Sequence, residues 1–236
     1  MKQITFIGAG SFLFTRDLVR DILTFPVLQD THFSLMDIDE RRLEAIRHDV
    51  ERIIREGGYQ ATVSSTTDRT QALIGSDAVI FTVLVGGTKA FRSDLEIPKK
   101  YGVDLNSGDT RGPGGIMRGM RTMPVLLDVC RDMEKYCPNA ILLNYTNPMN
   151  ILCKILGEST TVPYVGLCHS VQNAVERAAA WMNVPKEELD YFSAGINHQA
   201  WLLKLTRNGE DMYPLLRKAI EKPEVYNEDP VKCDTL

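Results

Sequence analysis

Ile4-Thr5-Phe6-Ile7-Gly8-Ala9-Gly10-Ser11-Phe12 is the stretch whose reading decides the fold. A short β-rich run gives way to two glycines and then to helical periodicity from Leu13 to Leu23. Strand, glycine turn and helix in that order form the context in which a dinucleotide-binding fingerprint carries weight. Gly8 suits the tight turn, and Gly10 lets the backbone approach a pyrophosphate at the helix N-terminus, with Ser11 beside it. Leu13 stands where the third glycine of G-x-G-x-x-G would be, a position that serves helix–strand packing rather than phosphate contact.

Outward from this stretch the chain alternates strands and helices. A second strand, Phe33 to Met36, ends in Asp37-Ile38-Asp39. An acidic residue there accepts ribose hydroxyls and repels a 2′-phosphate, so Asp37 points to NAD rather than NADP. Its alternative role, which Asp39 could equally fill, is to cap the helix that starts near Glu40. Ala61 to Ser65 reads as a third strand and Ala78 to Val83 as a fourth, strongly apolar one that leads into Val85-Gly86-Gly87. Gly86 becomes a further cofactor-binding candidate at a strand's end. The stretch from Arg92 to Arg121 is less regular. Within it lies the Gly/Pro-rich loop 106–115, whose Asp109 is a candidate for binding a polyhydroxylated ligand or else a solvated charge on a surface lid. A helix follows from Ile116 to about Tyr136. Ala140 to Leu143 is a fifth strand, and Asn147-Pro148 turns the chain at its end, with Asn147 directed toward a cofactor's reactive end or simply part of the turn. Then come a sixth strand, Tyr164 to Leu167, a helix from Val171 to Met182 capped by Ser170, strands Tyr191 to Asn197 and Ala200 to Thr206, and a helix within Glu210 to Ile220.

This order predicts an α/β fold, a Rossmann-type doubly wound parallel sheet followed by the start of a second α+β domain. The expected division is 1–189 for the dinucleotide-binding domain and 190–236 for a second domain that the chain only begins. With 236 residues, 44% of them hydrophobic and 25% charged, the composition is that of a globular protein. A net charge of −4 argues against nucleic acid or a membrane surface as partner. The apolar run after Lys2 is too short for a signal peptide or a membrane span. Five cysteines without a paired framework point to a reducing cytoplasm.

Val165-Gly166-Leu167-Cys168-His169-Ser170 and Gly195-Ile196-Asn197-His198 carry a second chemistry. Cys168 and His169 sit at a strand's carboxyl end beside a helix N-terminus, where open α/β sheets bind ligands. Cys168 and His198 from two strand ends can hold one divalent metal with positions left open for substrate. The alternative is a small buried cysteine and two ordinary histidines.

Taken together, Gly8-Ala9-Gly10-Ser11, Leu35-Met36-Asp37-Ile38-Asp39, Asp109-Thr110-Arg111-Gly112-Pro113-Gly114-Gly115-Ile116, Asn144-Tyr145-Thr146-Asn147-Pro148-Met149, Gly166-Leu167-Cys168-His169-Ser170-Val171 and Gly195-Ile196-Asn197-His198 resemble glycoside hydrolase family four. These are NAD- and manganese-dependent glycosidases on the lactate/malate dehydrogenase-type fold, and an exception to the two-carboxylate scheme of glycoside hydrolysis. The resemblance covers the chain as the N-terminal half of a member about twice as long. It implies NAD and Mn2+, or another divalent metal, as cofactors. It implies Cys168 and His198 as metal ligands, His169 at the position proposed for the general acid, Asn147 as a contact to substrate hydroxyls or the metal, and Arg92 as a further substrate-binding candidate. The run Cys168-His169-Ser170 looks like the α-galactosidase (melibiase) type. Phospho-glycosidases carry Asp or Asn directly after the cysteine, and α-glucosidases and galacturonidases tend to carry Cys-His-Glu. The implied reaction oxidises the sugar at C3 with NAD+, eliminates across C1–C2 with metal assistance, adds water and returns the hydride. The catalytic base, a tyrosine in the family, is expected beyond Leu236. A homodimer or homotetramer is expected for the full-length protein.

Two rival readings stand beside this one. A 2-hydroxy-acid dehydrogenase would share the fold but use an Arg/His pair and need no metal. A catalytically inactive NAD-binding fragment would need neither the tyrosine nor the sugar.

Overall fold

The computed structural model describes residues 2–104, 110 and 112–228; Asp109 lies outside them. The chain forms two compact units, Met1–Leu167 and Cys168–Leu236. The sequence expectation placed its boundary at 189/190, where the α/β alternation ends. The compact units part earlier because the helix Ser170–Met182 buries Val175, Ala178, Ala179 and Met182 among Leu189, Leu205, Met212 and Leu216, which follow it in the chain.

In the first unit the elements run β1 (Gln3–Ile7), α1 (Phe12–Leu23), β2 (His32–Met36), α2 (Glu40–Gly57), β3 (Thr62–Thr66), α3 (Arg69–Leu73), β4 (Ala78–Phe81), α4 (Gly87–Lys99), α5 (Gly112–Tyr136), β5 (Ile141–Asn144), α6 (Met149–Ser159) and β6 (Tyr164–Gly166). Among the described residues these strands form one sheet in the order β3-β2-β1-β4-β5-β6. Each adjacent pair is parallel. The order reverses between β1 and β4, the point at which such sheets bind dinucleotides.

Alternation along the central strands divides the core into two layers, as a sheet covered on both faces requires. Ile4 and Phe6 of β1 and Ile80 of β4 pack with Val19 and Leu23 of α1 and Leu43, Ile46 and Val50 of α2. On the other face Ile7, Val79 and Phe81 pack with Leu126, Val129 and Met133 of α5 and Leu152 and Leu156 of α6. Each fully buried side chain of this size stabilises the fold by about 1.5–3 kcal/mol. Thr5 and Ser34 interrupt the apolar pattern and are buried, yet both are satisfied. Thr5 Oγ1 donates to Ala72 O at 2.9 Å, and Ser34 Oγ donates to the same carbonyl at 3.1 Å.

In the second unit α7 (Ser170–Met182) is followed by β7 (Leu189–Ile196), β8 (Gln199–Arg207), β9 (Glu210–Asp211), α8 (Tyr213–Ile220) and α9 (Pro223–Tyr226). The strands form an antiparallel meander. The register slips between Phe192, opposite Lys204, and Ser193, opposite Leu202, so that Leu203 is the extra residue of a β-bulge.

Three sequence expectations are corrected. The stretch after Gly87 is not irregular but holds α4, whose inward residue Asp94 is a charge and therefore breaks the apolar period. The helix expected from Glu210 starts at Tyr213, because Asn208 (φ +51°) and Gly209 (φ +85°) make a two-residue hairpin turn that pairs Arg207 with Glu210. Ser170 is the first helical residue of α7 rather than its cap; His169 occupies the cap position with no side-chain bond.

Gly8 and Gly58 both have positive φ, +91° and +65°, but a Cβ on Gly8 would lie 2.7 Å from Thr82 O whereas one on Gly58 meets nothing within 4 Å. Denaturant unfolding of Gly58→Ala is expected to show a loss of about 1 kcal/mol from the left-handed backbone alone. Gly8→Ala is expected to lose about twice that or more, because the collision is with backbone. Equal losses would show that the contact at Thr82 yields without strain.

Candidate functional site

The first constellation lies at the carboxyl ends of β1, β2 and β4. Gly8 N and Ala9 N both donate to Met36 O at 2.9 Å, and Ser11 N donates to Gly8 O at 3.0 Å, which closes the turn after β1. Thr15 Oγ1, fully buried, donates to Ala9 O at 2.8 Å and ties α1 to the same turn. Gly10 N donates to Asp37 Oδ2 at 2.7 Å, and Asp39 N donates to Asp37 Oδ1 at 2.9 Å. The capping role open to either acid falls to Asp39, which accepts from Arg42 N at 3.1 Å. The Asp37 carboxylate, with two amides bound, keeps lone pairs for further donors such as hydroxyls.

Gly10 is glycine for a local reason, since a Cβ there would fall 2.7 Å from Asp37 Oδ2. Leu13, in the third-glycine position, is 63% exposed, so this helix does not need a small residue there. Ser11 caps α1 without a side-chain bond, and the first turn carries no acidic residue. The first-turn amides of an α-helix lack intrahelical acceptors and favour an anion. The turn therefore fits a pyrophosphate, with Gly8, Gly10 and Ser11 around it and Asp37 alongside.

Beyond β4, Gly86 (φ +79°) starts α4, and Arg121 of α5 fixes the loop by donating from Nε to Val85 O at 3.0 Å. The same guanidinium meets the buried Asp94 at 3.2 and 2.5 Å. Thr146 joins β4 to β5: its hydroxyl accepts from Val83 N at 3.0 Å and is itself buried. Asn144, also buried, closes the turn before Asn147 by accepting from Thr146 N at 3.1 Å. Asn147 Oδ1 accepts from Met149 N at 3.3 Å, and the Asn147–Pro148 peptide is cis. Arg92 projects from α4 with its side chain 78% exposed, 4.0 Å from Glu96, in a surface ion pair.

The second constellation lies within the second unit. Cys168 lies two residues before the first residue of α7, and His198 occupies the two-residue connection between Ile196 of β7 and Gln199 of β8. Cys168 Sγ is 3.3 Å from His198 Nε2 and 3.0 Å from Ser170 Oγ. His198 holds a φ of +28°, uncommon for a side chain larger than glycine and of a kind that gathers at functional sites. Gly195 permits the tip's geometry: a Cβ on it would lie 2.6 Å from Gln199 O. His169 is exposed at the start of α7.

A sulfur and a nitrogen bound to one zinc ion at lengths of about 2.3 and 2.05 Å stand roughly 3.1–3.6 Å apart. The 3.3 Å between Cys168 Sγ and His198 Nε2 fits that range. No group of three or more His, Cys, Asp or Glu side chains placed to share a metal occurs among the described residues. Among the described residues the pair Cys168 and His198 could supply two donors to an ion, with positions left for water or substrate oxygens. Ser170 was read in the sequence only as a cap. Its hydroxyl's contact with sulfur has no signal in spacing alone.

The first unit carries a dinucleotide-type turn on a parallel sheet, and the second carries a thiol–imidazole pair. The chain belongs to the family 4 glycosyl hydrolases: that family's model matches residues 3–184, and the model of its C-terminal domain matches residues 193–236. An α-galactosidase of Bacillus subtilis (strain 168) is 40% identical over 238 residues, which cover 100% of this chain and 55% of that protein. An α-galactosidase of Rhizobium meliloti (strain 1021) is 43% identical over 208 residues, covering 88% of this chain and 42% of that protein. The crystal structure of the 6-phospho-β-glucosidase of Thermotoga maritima with NAD and glucose-6-phosphate superposes with a TM-score of 0.83 at 25% identity, covering 98% of this chain and 56% of that one. The chain spans about half the length of the curated relatives it matches. No helix among the described residues is long and apolar enough to cross a membrane.

The four described cysteines are free thiols. Burial pushes the Cys130 and Cys137 thiols up to about 11 and raises that of Cys153. A raised thiol value means less thiolate near neutrality and slower alkylation. With iodoacetamide at pH 8, mass spectrometry is expected to find Cys168 modified in the native protein while Cys130 and Cys137 react only after denaturation. Labelling of Cys130 as fast as Cys168 would contradict this difference between a partly exposed thiol and inert core thiols.

Proposed function

We propose that this chain is part of an α-galactosidase that uses NAD and a divalent metal, expected to be manganese, to hydrolyse α-galactosides. The observation that carries the reading is the convergence of Cys168 Sγ and His198 Nε2 at 3.3 Å in a chain of this family. The run Cys168-His169-Ser170 and the α-galactosidase relatives at 40% and 43% identity support the galactoside over other glycosides. The Thermotoga relative, crystallised with NAD, supports the nucleotide.

When bound, the nucleotide supplies a hydride acceptor for C3 of the sugar, and the metal supplies Lewis acidity at O2 and O3. The chain's own residues do the rest. The turn around Gly8, Gly10 and Ser11 binds the pyrophosphate, and Asp37 takes the ribose hydroxyls through its remaining lone pairs. Gly86 keeps the loop after β4 close to the nucleotide. Cys168 and His198 hold the metal through sulfur and nitrogen, leaving oxygen positions open. Asn147 and Arg92 are assigned to substrate hydroxyls, as is Asp109 outside the described residues. His169 is assigned the proton delivered to the leaving-group oxygen, a role its exposure at the start of α7 permits. A thiol ligand on a metal is sensitive to oxidation, which suits a reducing cytoplasm. The assembly proposed is a homodimer or homotetramer.

Release of p-nitrophenol from p-nitrophenyl α-galactoside tests the reading. With the full-length protein and NAD+, Mn2+ and reductant present, release is expected; leaving out any one of the three should abolish it. Release indifferent to NAD+ would overturn the redox mechanism. Absence of release from every glycoside, with turnover of a 2-hydroxy acid instead, would replace the glycosidase with a dehydrogenase.

A further inference from the structure

We propose that Ser170 is a positioning residue for the metal site, holding the Cys168 sulfur toward His198 through its hydroxyl. The inference rests on the metal reading of Cys168 and His198 and adds to it a residue that acts through sulfur rather than on the ion.

Side chains on a helix tilt toward its N-terminus. Ser170 is the first helical residue of α7, so its hydroxyl is aimed back at the residues just before the helix. There it meets Cys168 Sγ at 3.0 Å, and the same sulfur lies 3.3 Å from His198 Nε2. A serine at a helix start ordinarily caps it by accepting from a first-turn amide. Here the cap position belongs to His169, so the serine hydroxyl is free of that duty. A metal-bound cysteine carries no proton, which fixes the direction of the contact: Ser170 O–H donates and Sγ accepts. Such outer hydrogen bonds orient a ligand and tune its donor strength. The need is acute at this site because, among the described residues, two donors converge and one of them rides on a hairpin tip. Held from one side only, the Cys168 side chain would be free to rotate its sulfur away from Nε2.

The purified protein and its variants S170A, S170T, C168A and H198A would be titrated with Mn2+, following the paramagnetic resonance signal of the free aqueous ion. Each would also be loaded with Co2+ to record the sulfur-to-cobalt charge-transfer band, and far-UV circular dichroism would check each fold. S170A is expected to bind Mn2+ about tenfold more weakly and to shift the band. S170T, which restores a hydroxyl, is expected to recover both. An S170A variant with wild-type affinity and an unchanged band would overturn the inference. So would S170T behaving like S170A, because the helix start rather than the hydroxyl would then matter. If C168A and H198A lose Mn2+ while S170A does not, only the role of Ser170 fails. If C168A and H198A bind Mn2+ like the parent, the metal reading itself fails, and Ser170 with it.

Discussion

A parallel sheet releases every strand at the same edge, and the backbone groups freed there must be satisfied before anything else can be built. That requirement organises the first unit. Met36 O takes the amides of both Gly8 and Ala9, Asp37 takes the amide of Gly10, and Thr146 takes the amide of Val83. Each bond joins the end of one strand to the start of the next connection, so the edge becomes a surface of fixed turns rather than loose loops. Sites built on such turns are preorganised by the bonds that the fold already needs. Gly8 and Gly10 are then demanded by the turn itself, because neighbouring atoms leave no room for a Cβ.

The second unit solves a different problem. A thiol–imidazole pair needs two side chains at a fixed separation, and an antiparallel hairpin can supply one of them at its tip. The left-handed backbone of His198 and the close strand approach at Gly195 bring an imidazole to the cysteine that precedes α7. The bulge at Leu203 shifts the register in the middle of the hairpin, so the residues near the tip follow a different alternation from those at its base. Unlike the sheet edge, this geometry depends on side chains rather than backbone bonds, which is why a single hydroxyl can matter to it.

Much of this was legible in the chain. Strands β1, β4 and β5 are largely apolar runs, and Gly8-Ala9-Gly10-Ser11 announces the turn after β1. Cys168 and His198 were readable as a pair because their residue types and strand-end positions agree. Less visible was whatever depended on a buried polar partner. Asp94 hid α4 because an inward-facing carboxylate looks like a surface charge until Arg121 is seen beside it. Leu13 suggested a damaged fingerprint, yet its side chain points to solvent, so the missing glycine has no packing consequence. Asn208-Gly209 did carry a hairpin signal, and the helical pattern after it masked that signal. Ser170 was misplaced by one residue, the usual uncertainty at a helix end, and that residue separates a cap from a partner of sulfur.

The carbonyl of Ala72 accepts from Thr5, Ser34 and Gln3, three side chains on two strands, at the end of a helix five residues long. A hub of this kind restricts how the chain can drift over generations. Replacing one hydroxyl by a methyl group loses a bond but leaves no orphan as long as the others remain. Displacing the helix takes that acceptor from every donor at once, and the buried Thr5 hydroxyl then leans on Ser76 Oγ, 2.6 Å away. Changes at Thr5 and Ser34 should therefore be inherited together with changes in the turn from Ala72 to Ser76.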